Sequence, residues 1–215
     1  MNILITGGTG FVGSHMVDYI LKYAIRPDQK VYCTKRWMED TKNLDHIDHD
    51  SFEYIDCDLL DGMSVKRAVE ISKPEKVFHF AAQSFPEVSF KTPVVTLQTN
   101  IIGTTHLLES IKESEYDPTI VSVSSSEVYG NPNEDEIPIT EENPIRPANP
   151  YSISKVGHDL MSQYYHKAYG LKIITTRMFS HEGARRGKQF ALSSFAYQIA
   201  KNEKLKGDGV VKHGN

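Results

Sequence analysis

A glycine-rich turn between a short apolar run and a helical segment constrains the fold more than any other feature of this chain. Ile3–Thr6 is predicted to be a buried strand and Phe11–Tyr23 a helix, with Gly7, Gly10 and Gly13 spaced three residues apart between them. Only residues without a Cβ let backbone N–H groups approach a pyrophosphate at the start of a helix. The spacing therefore predicts a dinucleotide site, with a plain glycine-rich turn as the alternative.

Strand-length apolar runs alternate with helical segments over residues 1–178. The predicted strands are Ile3–Thr6, Val31–Thr34, Phe52–Ile55, Lys76–Phe80, Thr119–Ser124 and Lys172–Arg177. The predicted helices are Phe11–Tyr23, Ser64–Ile71, Val94–Ser114, Ser152–Tyr169 and, beyond the sheet, Leu192–Lys201. This order predicts an α/β fold, a Rossmann doubly wound parallel sheet covered on both faces. Residues 179–215 are expected to begin a smaller C-terminal lobe, and the ending Lys212–Asn215 suggests a truncated chain.

Composition excludes several classes of protein. A net charge of −4 with 24% charged residues lacks the basic excess of a nucleic-acid binder. No apolar run reaches membrane-spanning length and no charged leader precedes the first strand, so we expect a cytoplasmic protein without a membrane partner. Cys33 and Cys57 fall in predicted strands, and the nine histidines show no ligand-like spacing, so we expect no metal.

The end of the second strand predicts which dinucleotide binds. An acidic residue there would accept the ribose 2′-hydroxyl of NAD, whereas arginine suits the 2′-phosphate of NADP. Here the strand leads into Lys35 and Arg36, with no Asp or Glu between Asp28 and Glu39. We therefore expect cationic donors and favour NADP, with NAD possible and a solvated basic loop as the alternative. Asp58, just past the third strand, is expected to contact the adenine or to cap a helix.

Tyr151 and Lys155 are four residues apart on a predicted helix, so they share one face. A nearby ammonium lowers the phenol pKa from about 10 toward working pH, as a tyrosine acid/base requires. Tyr197 and Lys201 repeat this spacing, but they lie beyond the Rossmann core and are expected to be structural. Tyr151, in contrast, follows the serines at positions 124–126 and a long loop over Asn131–Pro150, which is expected to be an irregular lid.

Several motifs in the same order resemble the extended short-chain dehydrogenase/reductase superfamily, over nearly the whole chain. They are Thr6–Gly13, Asp58-Leu59, Phe80–Ser84, Asn100 with Gly103-Thr104, Ser124–Gly130 and Pro150–Lys155. Within that superfamily the chain is most similar to the GDP-mannose 4,6-dehydratases, through residues 81–84 leading to 88–90, Ser125–Glu127, and His181-Glu182 followed by Arg185–Gly187. Ser180 and Phe85-Pro86 depart from the usual pattern near the expected sugar.

This resemblance implies roles for particular residues. Ser125 would bond the sugar O4, Tyr151 would move its proton, and Lys155 would also hold the nicotinamide ribose, while Glu127 would remove the C5 proton. The implied cofactor residues are Gly7, Gly10, Phe11, Val12, Gly13, Lys35, Arg36, Asp58, Leu59, Ala81, Ala82, Tyr151 and Lys155. The implied substrate residues, for a nucleotide-diphosphate sugar, are Ser84, Ser126, Ser180, Glu182 and Arg185.

The resemblance also implies a substrate-binding lobe beginning at residue 179, and a homodimer or homotetramer packed through Val94–Ser114 and Ser152–Tyr169. Two other functions stay open. A 4-keto reductase or 4-epimerase would use Ser125, Tyr151 and Lys155 but leave Glu127 idle. A non-catalytic dinucleotide sensor would bind the cofactor and leave the sugar unchanged. Glu127 itself could instead cap the loop or solvate the surface, and Arg185 and Arg186 could bind a diphosphate, contribute to a subunit interface or lie in a solvated loop.

Overall fold

A computed structural model describes residues 2–205 and 209–213 and shows a six-stranded parallel sheet. Its strands are β1 (Asn2–Thr6), β2 (Val31–Lys35), β3 (Phe52–Asp56), β4 (Pro74–His79), β5 (Thr119–Val123) and β6 (Lys172–Thr176). They are ordered β3-β2-β1-β4-β5-β6, and every neighbouring pair is parallel. The predicted doubly wound Rossmann sheet is confirmed. Gly214 and Asn215, at the ending interpreted as truncated, lie outside the described residues.

Helices lie on both faces of the sheet and connect its successive strands, except that β2 and β3 are joined by turns alone. They are α1 (Phe11–Tyr19), α2 (Gly62–Ser72), α3 (Pro86–Lys91), α4 (Pro93–Leu97), α5 (Gly103–Lys112), α6 (Pro150–Tyr169) and α7 (Ala191–Leu205). A π-helical turn, Ile20–Ala24, extends α1, and another, Gln98–Ile102, joins α4 to α5, so both predicted helices continue with altered hydrogen bonding. The short α3 was not predicted, because one and a half turns started by Pro86 carry little periodicity.

The predicted loop at 131–150 differs from expectation at two places. Glu134–Glu136 forms a single 3₁₀ turn with a capping box, so the expectation of no regular structure there was wrong. Pro150 is the first residue of α6, where its missing N–H leaves no helical hydrogen bond unmade. Acidic residues in the first turn explain why a stretch rich in Pro, Asn and Glu still makes a turn.

Alternate residues of β1 enter different cores, because side chains of a strand point to opposite faces. Leu4 packs with Val77, Ile120 and residues of α2, α5 and α6, whereas Ile3 and Ile5 pack with residues of α1 and the segment around Leu44. Both faces of the sheet are therefore covered, as its almost continuously apolar strands require.

The chain divides into two compact units, Met1–Phe179 and Ser180–Asn215. In the first unit the strand order reverses between β1 and β4, which is where open α/β sheets form a ligand crevice at the carboxyl ends of their strands. No described helix is long and apolar enough to cross a membrane. Across residues 2–205 and 209–213, no cluster of His, Cys, Asp and Glu could hold a metal ion.

Candidate active site

The turn from β1 to α1 lies at the reversal point and leaves its backbone uncovered. Gly7 has a φ of +70°, and a Cβ there would lie 2.7 Å from the Ala81 nitrogen. A Cβ on Gly13 would lie 2.3 Å from the Gly7 carbonyl oxygen. Gly10 caps α1, and Phe11 and Val12 form its first turn. Because side chains are excluded at this turn, the helix N-terminus is open to an anion, and the cradle fits a pyrophosphate.

The segment after β4 forms the other wall of this turn. The Ala81 nitrogen donates to Thr6 Oγ1 at 3.3 Å, and Ala82 follows directly. Leu59, also assigned to the cofactor from the sequence, is only 8% exposed and packs in the core. A Cβ on Gly103 of α5 would lie 2.8 Å from the Leu59 Cβ, so this leucine sets how closely α5 approaches the sheet.

A cavity of about 450 Å³ lies beyond β2 and β3 and is lined by Arg36, Glu39, Asp58 and Arg67, among others. Of the two cations that the sequence predicted here, Lys35 and Arg36, only Arg36 lines the cavity. The Lys35 ammonium bonds the Asp56 carboxylate at 2.5 Å, so that cation is already paired. Arg36 and Arg67 are the two cations of the cavity wall, and Arg36 Nε lies 3.6 Å from Glu39 Oε2. Four carboxylates line the same cavity, those of Glu39, Asp56, Asp58 and Asp61.

Glu39 returns to the glycine turn, which the sequence did not suggest. Its Oε1 accepts from Thr9 Oγ1 at 3.1 Å, and its Oε2 accepts from the Arg36 backbone nitrogen at 2.8 Å. Met38 adopts a φ of 58°, a left-handed conformation that tightens this turn. The expectation that the loop after β2 offers cationic groups alone was wrong. The chain turns back between Arg36 and Glu39, and this brings the Glu39 carboxylate to the glycine turn.

Asp58 lies in the cavity wall but does not cap α2. Its Oδ1 accepts from the Leu60 nitrogen at 2.9 Å, and the cap is Asp61, whose side chain accepts from Met63. The helix-cap alternative for Asp58 was therefore wrong. Asp58 forms an Asx turn, and Asp61, three residues later, caps the helix.

The strand register separates the three consecutive serines after β5. Ser124 is buried, and its hydroxyl donates to the Lys155 carbonyl at 3.2 Å. Ser125 is half-buried, and its Oγ accepts from the Glu127 nitrogen at 3.2 Å. The Ser126 nitrogen donates to the Met178 carbonyl at 2.9 Å. Ser125 is thus placed with its hydroxyl hydrogen available to a ligand, because its oxygen is the acceptor of the turn.

Tyr151 and Lys155 lie one turn apart near the start of α6, both buried. Lys155 Nζ donates to the Val123 carbonyl at 2.7 Å, at the carboxyl end of β5. Burial lowers the pKa of this ammonium to about 8. Ser125, Tyr151 and Lys155 therefore lie at the same edge of the sheet as the glycine turn.

Glu127 belongs to the 3₁₀ turn Ser126–Tyr129 that follows β5. Its Oε2 accepts from Asn149 Nδ2 at 3.0 Å, and Asn149 is the N-cap of α6. The carboxylate is therefore directed toward the start of the helix that carries Tyr151. Because Asn149 also belongs to the loop 131–150, this contact equally fits the alternative in which Glu127 caps that loop. Ser125 caps only the 3₁₀ turn.

The remaining predicted residues lie elsewhere. Ser84 is exposed in the segment between β4 and α3. Ser180, Glu182 and Arg185 belong to the second compact unit, where Glu182 Oε2 lies 3.1 Å from Arg186 Nε. In that unit Tyr197 and Lys201 lie on α7, and the Lys188 ammonium is 3.7 Å from the Tyr197 ring centroid.

A buried polar chain beneath the site was missed from the sequence. His79 Nδ1 bonds Thr6 Oγ1 at 2.7 Å, and its Nε2 bonds Thr104 Oγ1 at 2.9 Å. Thr104 Oγ1 also bonds His158 Nδ1 at 2.9 Å, and His158 Nε2 bonds Ser122 at 2.7 Å. Burial lowers the pKa of His79 to about 3 and that of His158 well below its usual range. Both rings are therefore neutral at physiological pH.

The sequence does carry a signal for this series of buried, hydrogen-bonded polar residues. Thr6, His79 and Ser122 occupy matching positions of β1, β4 and β5, near the carboxyl end of each strand. A polar residue at the end of an otherwise apolar strand lies under the ligand crevice of such a sheet. Helix positions Thr104 and His158 complete the set only after packing.

One further pair fixes α6 against β6. Arg177 Nε lies 2.8 Å from Asp159 Oδ2, and Asp159 is fully buried. Arg177 Nη1 also donates to the Tyr129 hydroxyl at 2.9 Å. The 3₁₀ turn that holds Glu127 is thereby tied to the helix that holds Lys155.

Residues 4–215 match a family model described as GDP-mannose 4,6 dehydratase. The chain belongs to this family. A dTDP-glucose 4,6-dehydratase from Haemophilus influenzae is 34% identical over 197 residues, which cover 86% of this chain and 57% of that protein. A GDP-mannose 4,6-dehydratase from Yersinia enterocolitica is 31% identical, covering 92% of this chain and 54% of that protein.

Solved structures agree. A dTDP-glucose 4,6-dehydratase from Streptomyces venezuelae, crystallised with NAD, superimposes with a TM-score of 0.86 at 30% identity, covering 94% of this chain and 63% of that one. The chain thus spans between half and two thirds of these relatives. The resemblance to nucleotide-sugar 4,6-dehydratases is confirmed. The two relatives differ in the nucleotide base and in the sugar that their names give.

Proposed function

We propose that this protein is a nucleotide-sugar 4,6-dehydratase that acts on GDP-mannose or a close relative. The observation that carries the proposal is the carboxylate of Glu127, held by Asn149 beside Ser125 at the sheet edge that also bears Lys155. A 4-epimerase or 4-keto reductase needs no base at C5, whereas a dehydratase does. A base in this place therefore favours elimination over epimerisation or reduction.

The residues divide the chemistry as follows. Ser125 donates to the sugar O4, and Tyr151 takes the O4 proton as the C4 hydrogen leaves with its electron pair. Lys155 is anchored on the Val123 carbonyl one helical turn from Tyr151, where its positive charge would lower the pKa of the phenol. A bound nicotinamide dinucleotide would supply the acceptor for the C4 hydride and return it to C6.

Glu127 then acts on the C4 ketone. The C5–H bond breaks, its proton passes to the carboxylate, and its electron pair delocalises into the ketone as an enolate. The C6–O bond breaks next, and the hydroxyl leaves as water with the proton returned by Glu127. The C4 carbonyl re-forms beside a C5=C6 double bond. Return of the hydride from the bound dinucleotide to C6 would give an enolate, and C5 would take up a proton equivalent to the one that Tyr151 removed from O4. The sugar would then have lost one water overall, with no net oxidant consumed.

The glycine turn and the cavity beside Arg36 would hold the cofactor, through the backbone of residues 7–13 and the walls formed by Ala81, Ala82 and Asp58. We favour NADP, because Arg36 and Arg67 face the cavity that follows β2. Glu39 offers an acceptor for a ribose hydroxyl and keeps NAD possible. Arg36→Ala should weaken NADP binding at least tenfold while changing NAD binding less than threefold, as measured by titration of each dinucleotide. Equal losses for both would refute the preference.

The sugar-nucleotide side of the site is assigned by resemblance. Ser84 and Ser126 would contact the sugar, and Ser180, Glu182 and Arg185 would open the substrate-binding lobe that begins in the second unit. The cytoplasmic location stays a prediction.

A homo-oligomer is the proposed assembly, as a dimer or a tetramer. Ile153, Leu160 and Tyr164 recur along one face of α6 and are about half exposed. Val95 and Ile102 form a second such stripe on α4 and the π-helical turn after it. Apolar stripes on a helix normally pack against another helix, which supports association through these two elements.

Mass analysis tests the reaction. The protein is incubated separately with GDP-mannose, dTDP-glucose and UDP-glucose, each with a catalytic amount of NADP⁺. Dehydration gives a product lighter by one water from one of them. A product of unchanged mass would indicate an epimerase, a demand for stoichiometric NADPH would indicate a reductase, and no conversion with retained cofactor binding would indicate a sensor.

A further inference from the structure

Asn149 joins two parts of the site that lie 22 residues apart in the sequence. Its Oδ1 accepts from the Ser152 nitrogen at 2.8 Å, which caps the helix that carries Tyr151 and Lys155. Its Nδ2 donates to Glu127 Oε2 at 3.0 Å. One side chain therefore sets both the start of α6 and the direction of the carboxylate.

The orientation of this amide is fixed by its partners. A flipped amide would point its carbonyl at the Glu127 carboxylate and its N–H₂ at the Ser152 N–H, two repulsive contacts in place of two hydrogen bonds. The helix cap thus forces the donor toward Glu127. A residue that caps equally well but has no N–H would leave the helix unchanged and release the carboxylate.

The Glu127 main chain is fixed as well, since its nitrogen donates to Ser125 Oγ at 3.2 Å. With the main chain and Oε2 both held, the remaining freedom of the carboxylate is small, and Oε1 is the oxygen left to meet the C5 hydrogen. A misplacement of about 1 Å at a reacting group can lower a rate about 100-fold.

We propose that Asn149 is a positioning residue for the elimination step, which holds Glu127 so that its free oxygen faces C5. The inference rests on the proposed dehydratase function. It assigns Asn149 to one half of the reaction only: the C4 oxidation by Ser125, Tyr151 and Lys155 does not use Glu127. Loss of the amide donor should therefore separate the two halves.

The chain offers matched variants for the test. Asn149→Ser and Asn149→Thr both keep an N-cap acceptor, because Ser and Thr are also good helix caps. Neither can donate to Glu127 as the amide does, since both side chains are too short to span the gap and bring no second carboxylate to the site. Thermal unfolding should give both variants a melting temperature within about 4 °C of the wild type.

Two readouts in the intact protein with NADP⁺ and the accepted sugar nucleotide follow the two halves. Absorbance of the reduced nicotinamide reports C4 oxidation. Proton removal from C5 by Glu127 is followed by deuterium entering C5 from heavy water and by water loss. In both variants we expect C4 oxidation within about threefold of the wild type and C5 exchange lowered about 10-fold to 100-fold. Reduced cofactor should then accumulate.

Unchanged C5 exchange in the two variants would overturn the inference and leave Asn149 a helix cap only. An equal fall of both readouts would overturn it too, because the effect would then pass through α6. Glu127→Gln, run beside them, tests the proposed function separately. If the wild type loses no water, or if Glu127→Gln eliminates normally, the dehydratase proposal fails whatever the Asn149 variants do.

Discussion

Replacing Lys155 by methionine should abolish the proposed dehydration and stabilise the cofactor-free protein at neutral pH. Burial lowers the pKa of this ammonium from an ordinary 10.5 to about 8. Since one pKa unit corresponds to about 1.4 kcal/mol, holding the charge in the folded state costs about 3 kcal/mol at pH 7. The lost hydrogen bond to the Val123 carbonyl offsets about 1 to 3 kcal/mol of that gain. Lys155→Met should therefore be more stable than the wild type by about 0 to 2 kcal/mol at pH 7.

The sign of the pH dependence follows from the same pKa. Because the folded-state pKa lies below the unfolded one, the folded protein binds fewer protons between about pH 8 and 10.5, and wild-type stability gains from rising pH in that window. From pH 7 to pH 9 the gain relative to Lys155→Met should be about 1.3 kcal/mol. Other groups, such as the buried Cys33 thiol, cancel in this difference because both proteins contain them.

Urea unfolding of the cofactor-free proteins at pH 7 and pH 9, followed by far-ultraviolet circular dichroism, measures this change. Lys167→Met, at an exposed position in the last turn of the same helix, controls for the loss of one positive charge. A wild-type minus Lys155→Met difference that stays constant with pH, or that falls, would show that this ammonium is not destabilised by burial in the folded protein.

Three further changes test the packing that positions the site. Gly13→Ala should abolish dinucleotide binding, measured by titration, because the new Cβ would lie 2.3 Å from the turn backbone. The control is Gly170→Ala, where the surroundings are open and φ is +74°. It should lower stability by only about 1 kcal/mol and leave binding intact. His158→Leu should lower the free energy of unfolding by about 2 to 4 kcal/mol despite being more apolar, because it strands buried hydroxyl partners; a neutral effect in urea would contradict the polar chain. Arg177→Met should cost about 3 to 5 kcal/mol by leaving Asp159 buried and unpaired, and adding Asp159→Asn should recover much of that loss in the same assay.

Secondary structure followed the sequence closely wherever the pattern was local. Each of the six strands lies within two residues of its prediction, because buried parallel strands are apolar runs with polar ends. The differences arise where hydrogen bonding changes without a change in pattern. The π-helical turn at Gln98–Ile102 leaves the spacing of apolar residues almost unaltered, and the short α3 has too few turns to show a periodicity.

The sequence by itself determined the glycine-rich turn, the i, i+4 spacing of Tyr151 and Lys155, and the order of strands and helices, because each shows in the residue types of a short segment. Only the tertiary structure decided that Glu39 returns to the glycine turn, that Lys35 is taken up by Asp56, and that Asn149 reaches Glu127. Those contacts join residues 21 to 30 positions apart, whose approach is set by strand register and by turn geometry. Charge and hydrogen bonding act through distance in space, and a linear pattern of residue types does not specify that distance.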